Sequence, residues 1–170
     1  LDVVYKNTHA EAQSMCLFDD AFVAKFVDSL ANTIKSMLEI DADIDSSMIY
    51  VFRKPGEVAY NSETKNYQDG LHIMMPNVVT MPDVQKLLRQ TMLPHLQRIV
   101  DDLPECYQIV SETDDIYDES VISRNGWMMF GSRKEGKPAY GLCEIWNLSE
   151  YPTIQKMPKH NMHLYSSEYQ

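Results

Sequence analysis

The chain is organised around the stretch Asp69-Gly70-Leu71-His72-Ile73-Met74-Met75-Pro76. Apolar residues that favour β-structure surround the histidine, Asp-Gly precedes them, and a proline ends the run, which predicts a strand over residues 70–76. Such a strand would hold the imidazole of His72 at a fixed position on a sheet. A single histidine on an apolar strand is more often a hydrogen-bonded core residue than a ligand contact, so its role depends on its neighbours.

Composition and charge narrow the class of protein. The chain has 170 residues, 44% of them hydrophobic and 24% charged, which is typical of one soluble globular domain. No apolar run is long enough to span a membrane. The formal net charge of −10 argues against a nucleic-acid module that binds through bulk charge, so any contact with nucleic acid must be local.

Cysteine usage and the first residues give two further expectations. The three cysteines are widely spaced and form no Cys-x-x-Cys pair, so neither a disulfide framework nor a structural zinc site is predicted, and a reducing compartment fits best. The chain opens on Leu1 without a signal-type segment, and we expect it to be part of something longer.

The spacing of apolar residues predicts most of the secondary structure. Strand-like runs occur at residues 1–6, 48–53, 70–76, 106–111, 127–134 and 139–146, with the last two forming a hairpin. Helical spacing predicts two helices, from Asp19 or Asp20 to about Glu39 and from the N-cap Thr80 to about Asp102. This order, with helices segregated from hairpins, predicts an α+β fold with a largely antiparallel sheet.

The connecting segments carry their own expectations. Residues 54–68 are rich in Asn, Glu and Lys and are interpreted as a polar loop. Pro94 should break or kink the second helix, whose basic residues should face solvent. The segment 148–170 contains two prolines and is expected to be an irregular C-terminal extension or linker after a domain that spans residues 1–147.

Three features of the sequence suggest a metal and phosphate chemistry. They are Asp2 in the first strand, His72, and Asp118 followed by a Gly-Ser-Arg-Lys run that ends in Ser132, Arg133 and Lys134. Carboxylates without thiols or clustered histidines suit Mg²⁺ or Mn²⁺, while the Ser-Arg-Lys run offers phosphate a hydroxyl, a planar fork and a point charge. This predicts metal-assisted phosphoryl transfer from a nucleoside triphosphate, although a charged pair such as Arg133 and Lys134 is usually a solvated turn.

Several stretches occur in an order and spacing that resemble a known family. They are residues 69–76 quoted above, Asp118-Glu119-Ser120-Val121-Ile122, and Asn125-Gly126-Trp127-Met128-Met129-Phe130-Gly131-Ser132-Arg133-Lys134 with Tyr140 beyond. They resemble the primase domain of the primase-helicases of nucleocytoplasmic large DNA viruses, which belongs to the archaeo-eukaryotic primase superfamily. The resemblance covers roughly Asp2 to Trp146.

The resemblance implies a primase-polymerase core with an RRM-like sheet and a two-metal mechanism. Asp2 would be the second acid of an Asp-x-Asp motif and Asp118 the later acid, and both would bind Mg²⁺ or Mn²⁺; Asp115 competes for the later position. His72 would contact the incoming nucleotide by donating a hydrogen bond to its triphosphate. Ser132, Arg133 and Lys134 would hold phosphates.

This sequence departs from the family pattern at two points. The first acid of Asp-x-Asp would lie immediately before Leu1. Gln68 stands shortly before Gly-x-His where the family often has lysine, and Lys65, Arg53 or Lys54 could substitute for that lysine.

The resemblance also implies partners and a location. The activity would be template-directed primer synthesis from NTP or dNTP on single-stranded DNA. The whole protein would continue into a superfamily 3 helicase domain and form a hexamer. It would act in the host cytoplasm or nucleus, without a membrane partner. The alternative is a catalytically inactive primase-like domain that binds single-stranded DNA or organises the helicase. A rolling-circle nicking endonuclease would need a second histidine, which the His72 strand lacks.

Overall fold

The structure is a computed structural model, and it describes residues 1–8, 16–38, 48–54, 58–123, 133, 135–136, 138–148 and 155–156. Its strands are β1 Asp2–Asn7, β2 Met48–Arg53, β3 Ala59–Asn61, β4 Asn66–Met74, β5 Tyr107–Ile109, β6 Gly141–Asn147 and β7 Gln155–Lys156. Its helices are α1 Asp20–Met37, α2 Pro82–Asp101, α3 Thr113–Ile116 and α4 Ser120–Ser123.

The described strands form one antiparallel sheet. Its order is β5-β1-β4-β2-β6-β7, and β3 also pairs with β4. The pairings in this part of the chain are all antiparallel. Helix α1 lies between β1 and β2 in the sequence and α2 between β4 and β5, so strands and helices do not alternate one by one. The predicted α+β class with a largely antiparallel sheet is therefore confirmed.

Strand β4 lies at the centre of the sheet and is longer than the sequence predicted. It begins at Asn66 and pairs with β1 on one edge and with β3 and β2 on the other. The expectation of a polar loop over residues 54–68 is wrong for its second half. The rings of Tyr60 and Tyr67 lie 4.8 Å apart, and those of Tyr67 and Tyr5 stack at 5.6 Å; such cross-strand contacts stabilise strands whose other residues are polar.

The two faces of the sheet carry different residues. Along β1 and β4, alternate side chains point to opposite faces. Val3, Tyr5 and Leu71 are buried in the larger hydrophobic core together with α1 and α2. On the opposite face, a smaller buried cluster contains Met48, Tyr50, Phe52, Tyr140 and Ile145. Gly70 and His72 belong to this second face because they are one residue out of phase with Leu71.

Helix α1 begins where the sequence predicted. The Asp19 carboxylate accepts a hydrogen bond from the Phe22 amide at 2.8 Å, which satisfies one of the free donors of the first turn. The buried face consists of Phe22, Val23, Phe26, Val27, Leu30, Ala31, Thr33 and Ile34. Burial of a Leu, Ile or Phe side chain stabilises the fold by about 1.5–3 kcal/mol, so packing holds α1 against the sheet.

Helix α2 starts one residue later than expected, and of the two outcomes expected at Pro94 a break is wrong. Its N-cap is Met81 instead of Thr80, and no side chain caps it. Pro94 does not break the helix, which continues to Asp101. Met92 and Leu96 on either side of Pro94 are fully buried, whereas Pro94 is exposed, so packing of both halves against the core keeps them in one helix.

The C-terminal part of the structure contains a strand that was not predicted. Gln155 and Lys156 form β7 against β6, so the expectation of irregular structure is wrong at these two residues. The Lys156 ammonium contacts the buried Glu144 at 2.9 Å and Asp20 at 3.2 Å. The other residues from 149 onward lie outside the described residues.

Three further expectations can be compared with the structure. The strand predicted over residues 139–146 is present as β6, but it pairs with β2 and β7; its expected hairpin partner at 127–134 lies, apart from Arg133, outside the described residues. Cys16, Cys106 and Cys143 are free thiols, as predicted. Within the described ranges, no helix combines the length and hydropathy needed to cross a membrane.

Candidate catalytic site

Asp2 and His72 lie on the same face of the sheet. Asp2 of β1 pairs with Gly70 of β4, and His72 is two residues further along β4, where it pairs with Phe52. Residues two apart share a face, and diagonal neighbours on adjacent antiparallel strands lie about 7–8 Å apart. The strand register thus brings together a carboxylate and an imidazole that are far apart in the sequence.

Gly70 leaves the surface between these two side chains open. A Cβ atom at this position would lie 3.8 Å from Oδ1 of Asp2 and 3.6 Å from the carbonyl oxygen of Leu1. Both are ordinary contact distances, so the backbone itself would accept alanine. A longer side chain would project from this face between Asp2 and His72.

Gln68 holds the carboxylate of Asp2. Its Nε2 atom donates to Oδ1 and to Oδ2, each at 3.1 Å. Gln68 stands at the position where the family that this sequence resembles often has lysine. A neutral amide orients the carboxylate without cancelling its charge, so the negative charge stays available to a cation.

Asp118 lies between α3 and α4, where Ser120 fixes its carboxylate. Oδ1 accepts the Ser120 amide and Oδ2 accepts the Ser120 hydroxyl, both at 2.8 Å. Burial raises the pKa of Asp118, but these hydrogen bonds, together with the positive charge of Arg89, outweigh burial and hold the pKa below its ordinary value. Asp118 is therefore ionised at neutral pH.

Asp2 and Asp118 lie near the same end of β1. The backbone nitrogen of Leu1 donates to the Leu71 carbonyl oxygen at 2.8 Å, which fixes the start of β1 beside β4. Helix α3 packs against β1 and leads directly into Asp118. Asp118 is close enough to the start of β1 to act electrostatically on Leu1, as Asp2 is. The competing acid, Asp115, is exposed on α3.

The ring of His72 stacks on Tyr140. The two ring centroids are 4.1 Å apart and the planes differ by 19°, and the Lys54 ammonium lies 5.0 Å from the centroid of the Tyr140 ring. Tyr140 is buried directly before β6, so it restricts the orientation of the imidazole. The residue chemistry alone did not identify this role, because the contact depends on the pairing of β2 with β6.

Arg89 was expected on the wrong side of helix α2. The basic residues of α2 were expected to face solvent, but Arg89 is only 3% exposed. Its guanidinium donates to the carbonyl oxygens of Tyr117 and Asp114 and pairs with the carboxylates of Asp114 and Glu119. No signal in the sequence of α2 distinguishes this arginine, because its partners lie some 25 residues further along the chain.

The predicted phosphate contacts fall mostly outside the described residues. Ser132 and Lys134 lie there, while Arg133 is described and is exposed. Among the residues that are described, no group of three or more His, Cys, Asp or Glu side chains is arranged to hold a metal ion. Asp2 and Asp118 supply two carboxylates, the donor type that Mg²⁺ and Mn²⁺ favour, and so they fit part of such a site.

Comparison with known proteins gives two findings. The family model described as "C962R protein N-terminal AEP domain", where AEP stands for archaeo-eukaryotic primase, matches residues 1–146. The protein named "Putative helicase L207/L206" of Acanthamoeba polyphaga mimivirus is 33% identical over 103 residues, which are 59% of this chain and 10% of that protein. The chain therefore spans about a tenth of the length of this curated relative.

The family match extends over most of the chain and agrees with the resemblance carried by residues 69–76 and 118–134. The antiparallel sheet, with an acid on β1 and a histidine on β4, is also the arrangement that the resemblance implied. The chain belongs to the archaeo-eukaryotic primase domain family found in the primase-helicases of large DNA viruses.

Proposed function

We propose that this chain is a template-directed primase module, which joins NTP or dNTP units on a single-stranded DNA template with the help of Mg²⁺ or Mn²⁺. The observation that supports the proposal is the strand register that places Asp2 and His72 on one face of the sheet, with helix α3, which leads into Asp118, packed against β1, in a chain of the archaeo-eukaryotic primase family. Two carboxylates and one histidine suit metal-assisted nucleotidyl transfer. The nicking endonuclease considered above would instead need a pair of histidines.

Each side chain has a defined part in this proposal. Asp2 and Asp118 would hold the divalent ions, which when bound neutralise triphosphate charge and activate the attacking hydroxyl. Gln68 keeps both oxygens of Asp2 turned in one direction. Ser120 fixes the orientation of the Asp118 carboxylate through its two hydrogen bonds.

His72 would bind the nucleotide rather than accept a proton. Its ring stacks on Tyr140, which places the imidazole at a fixed position on the same face of the sheet as Asp2, where it would donate to a phosphate oxygen. Ser132, Arg133 and Lys134 are proposed as further phosphate contacts. These contacts would orient the α-phosphate for attack, which is the main contribution of a protein to phosphoryl transfer.

Primer synthesis on single-stranded DNA with Mg²⁺ or Mn²⁺ tests the proposal in the full-length protein. We expect product from the wild type and its loss in Asp118→Asn and Asp2→Asn, because an amide is a much weaker ligand for a hard cation. Asp115→Asn is the matched control and should remain active, since that residue is exposed on α3. Equal absence of product from wild type and Asp118→Asn would refute the enzymatic proposal and leave a domain that binds single-stranded DNA without catalysis.

We also propose the context of the domain. The mimivirus relative is named a helicase, and the 103 matched residues are 10% of its length. With the family resemblance, this supports a superfamily 3 helicase as the proposed partner domain, hexameric in the whole protein. Replication sites in the host cytoplasm or nucleus are the proposed location. Size measurement of the full-length protein by light scattering tests the hexamer.

A further inference from the structure

Arg89 makes an unusual set of contacts for a residue in the middle of a helix. It projects from α2, is 3% exposed, and donates from Nε to the Tyr117 carbonyl oxygen at 2.5 Å and from Nη2 to the Asp114 carbonyl oxygen at 2.6 Å. Its Nη2 also lies 3.0 Å from the Asp114 carboxylate, and its Nη1 lies 3.5 Å from that of Glu119. One guanidinium thus binds four acceptors on a single short segment.

Arg89 binds the residue before Asp118 and the residue after it. The carbonyl of Tyr117 belongs to the peptide unit that leads directly into Asp118, and Glu119 is the residue after it. The guanidinium is rigid and planar, so its donors fix the directions of the groups that they bind. Asp118 itself bonds to Ser120, which sets the side-chain rotamer but does not attach the segment to α2.

Arg89 is also connected to the core through Tyr117. Its guanidinium carbon lies 5.9 Å from the centroid of the Tyr117 ring, and that ring packs edge-on against Phe26 of α1 with centroids 6.1 Å apart. The segment that carries Asp118 is therefore attached to both long helices. A buried charge needs its partners, so the position of this segment is tied to the presence of a guanidinium at residue 89.

We propose that Arg89 is a positioning residue for Asp118, which holds the 114–119 segment where the Asp118 carboxylate can share a divalent ion with Asp2. This inference rests on the proposed function and deepens it. A residue that orients a ligand without touching the metal changes metal affinity by about 10- to 100-fold when it is replaced. A residue that only stabilises the fold changes unfolding and leaves the affinity of the folded protein unchanged.

Binding of Mn²⁺ to the full-length protein without nucleotide, measured by calorimetry or by the paramagnetic resonance of free Mn²⁺, separates these roles. We expect Arg89→Lys to weaken Mn²⁺ binding about 10- to 100-fold, because lysine keeps the charge but cannot bind two carbonyls and two carboxylates at once. In primer synthesis, the Mn²⁺ concentration for half-maximal rate should rise by a similar factor, while the rate at saturating Mn²⁺ stays near that of the wild type.

Arg98→Lys is the matched control on the same helix. Arg98 is exposed and bonds only within α2 among the contacts described, to Pro94 and His95, so its replacement should leave Mn²⁺ affinity unchanged. Wild-type affinity in Arg89→Lys, with a loss in Asp118→Asn, would overturn the inference and keep the proposed function. Affinity that is unaffected even by Asp118→Asn would overturn the proposed function itself.

A second variant covers the case in which Arg89→Lys does not fold. Asp114→Ala combined with Glu119→Gln removes both carboxylate partners, whose side chains are 70% and 54% exposed, and leaves Arg89 in the core. Weaker Mn²⁺ binding by this folded double variant supports the inference. Unchanged Mn²⁺ binding by it counts against the inference as directly as unchanged binding by Arg89→Lys.

Discussion

At the scale of single residues, the site consists of side chains whose neighbours decide their state. The pKa of Asp118 is held below its ordinary value by the two hydrogen bonds that Ser120 donates, and the carboxylate of Asp2 is oriented by the Gln68 amide. The ring of His72 stacks on that of Tyr140. These partners determine how each candidate site residue is held, and they come from three different parts of the chain.

Ser120→Ala should raise the pKa of Asp118. Because the folded-state pKa lies below the ordinary value, the ionised Asp118 stabilises the fold above its unfolded pKa, and this stabilisation is lost as pH falls through the folded pKa. The variant should be less stable than the wild type at neutral pH, and the difference should vanish in strong acid. Carbon NMR titration of the Asp118 carboxyl and urea unfolding at both pH values measure this; an unchanged titration would contradict it.

Replacement of Gly70 should separate folding from nucleotide binding. Gly70→Ala places a Cβ at ordinary contact distances of 3.6 and 3.8 Å, so we expect both stability and activity close to the wild type. Gly70→Leu should fold as well, because β4 is paired along both edges, but its side chain would cover the surface between Asp2 and His72. Nucleotide affinity, measured by fluorescence, should fall in the leucine variant alone; equal affinities in the two variants would exclude this surface as the nucleotide site.

At the scale of elements, local sequence signals predicted those parts whose own residues determine their structure. The apolar spacing and the Asp19 cap gave α1, and a continuous β-prone run gave β2 with its observed bounds. The acid on β1, the histidine on β4 and the segment of Asp118 were also identified from sequence. The sequence could thus supply the fold class, while the roles of Asp2, His72 and Asp118 stay predictions.

The parts that were missed depend on partners distant in sequence. β3 and the start of β4 are polar, and they form strands because Tyr60, Tyr67 and Tyr5 contact one another across the sheet. Arg89 has the pattern of a solvent-facing residue until the 114–119 segment covers it. β7 has only two residues, too few for any periodicity, and it is held by β6 and by its ion pairs.

Lys156 should contribute measurably to stability through β7. Glu144 is 3% exposed and accepts both the Lys156 ammonium and the Trp146 ring N–H, each at 2.9 Å. Removal of the cation in Lys156→Met leaves a buried carboxylate with one partner, at a cost of about 1–3 kcal/mol in the free energy of unfolding. Urea unfolding measures this, and a loss below 0.5 kcal/mol, about the size of a surface ion pair, would contradict it.

A control variant and a pH dependence complete the prediction for Lys156. Asp20→Asn removes the other partner of Lys156, which is 81% exposed, and should have little effect. The Lys156 pKa is raised by Glu144 and Asp20 against the effect of burial, so the stabilisation is present below the unfolded pKa of lysine and is lost as pH rises through the folded pKa.

At the scale of the whole molecule, the charge limits how the domain can meet nucleic acid. The formal net charge is −10, and the acids of the 112–119 segment lie beside the candidate site. Attraction over the whole surface cannot hold a DNA strand, so the proposed binding of single-stranded DNA would depend on a few local contacts.

Binding of single-stranded DNA should therefore depend weakly on salt. Contacts to two or three phosphates give a slope of log affinity against log salt of roughly −1.4 to −2.1. Fluorescence anisotropy with a labelled oligonucleotide over a range of NaCl concentrations measures the slope. A slope steeper than about −4 would indicate six or more neutralised phosphates and would contradict a local contact surface.

The pairing of β1 with β4 has a consequence for how the site is assembled in time. Asp2 meets Gln68 across 66 residues of sequence, and Asp118 comes later still. Contacts between residues so far apart form slowly, because a long loop must close before they stabilise the chain. During synthesis, Asp2 can therefore meet its partners only after most of the domain has left the ribosome. In refolding experiments, the proposed binding of Mn²⁺ should return with the slowest phase, after the helix signal of α1 has recovered.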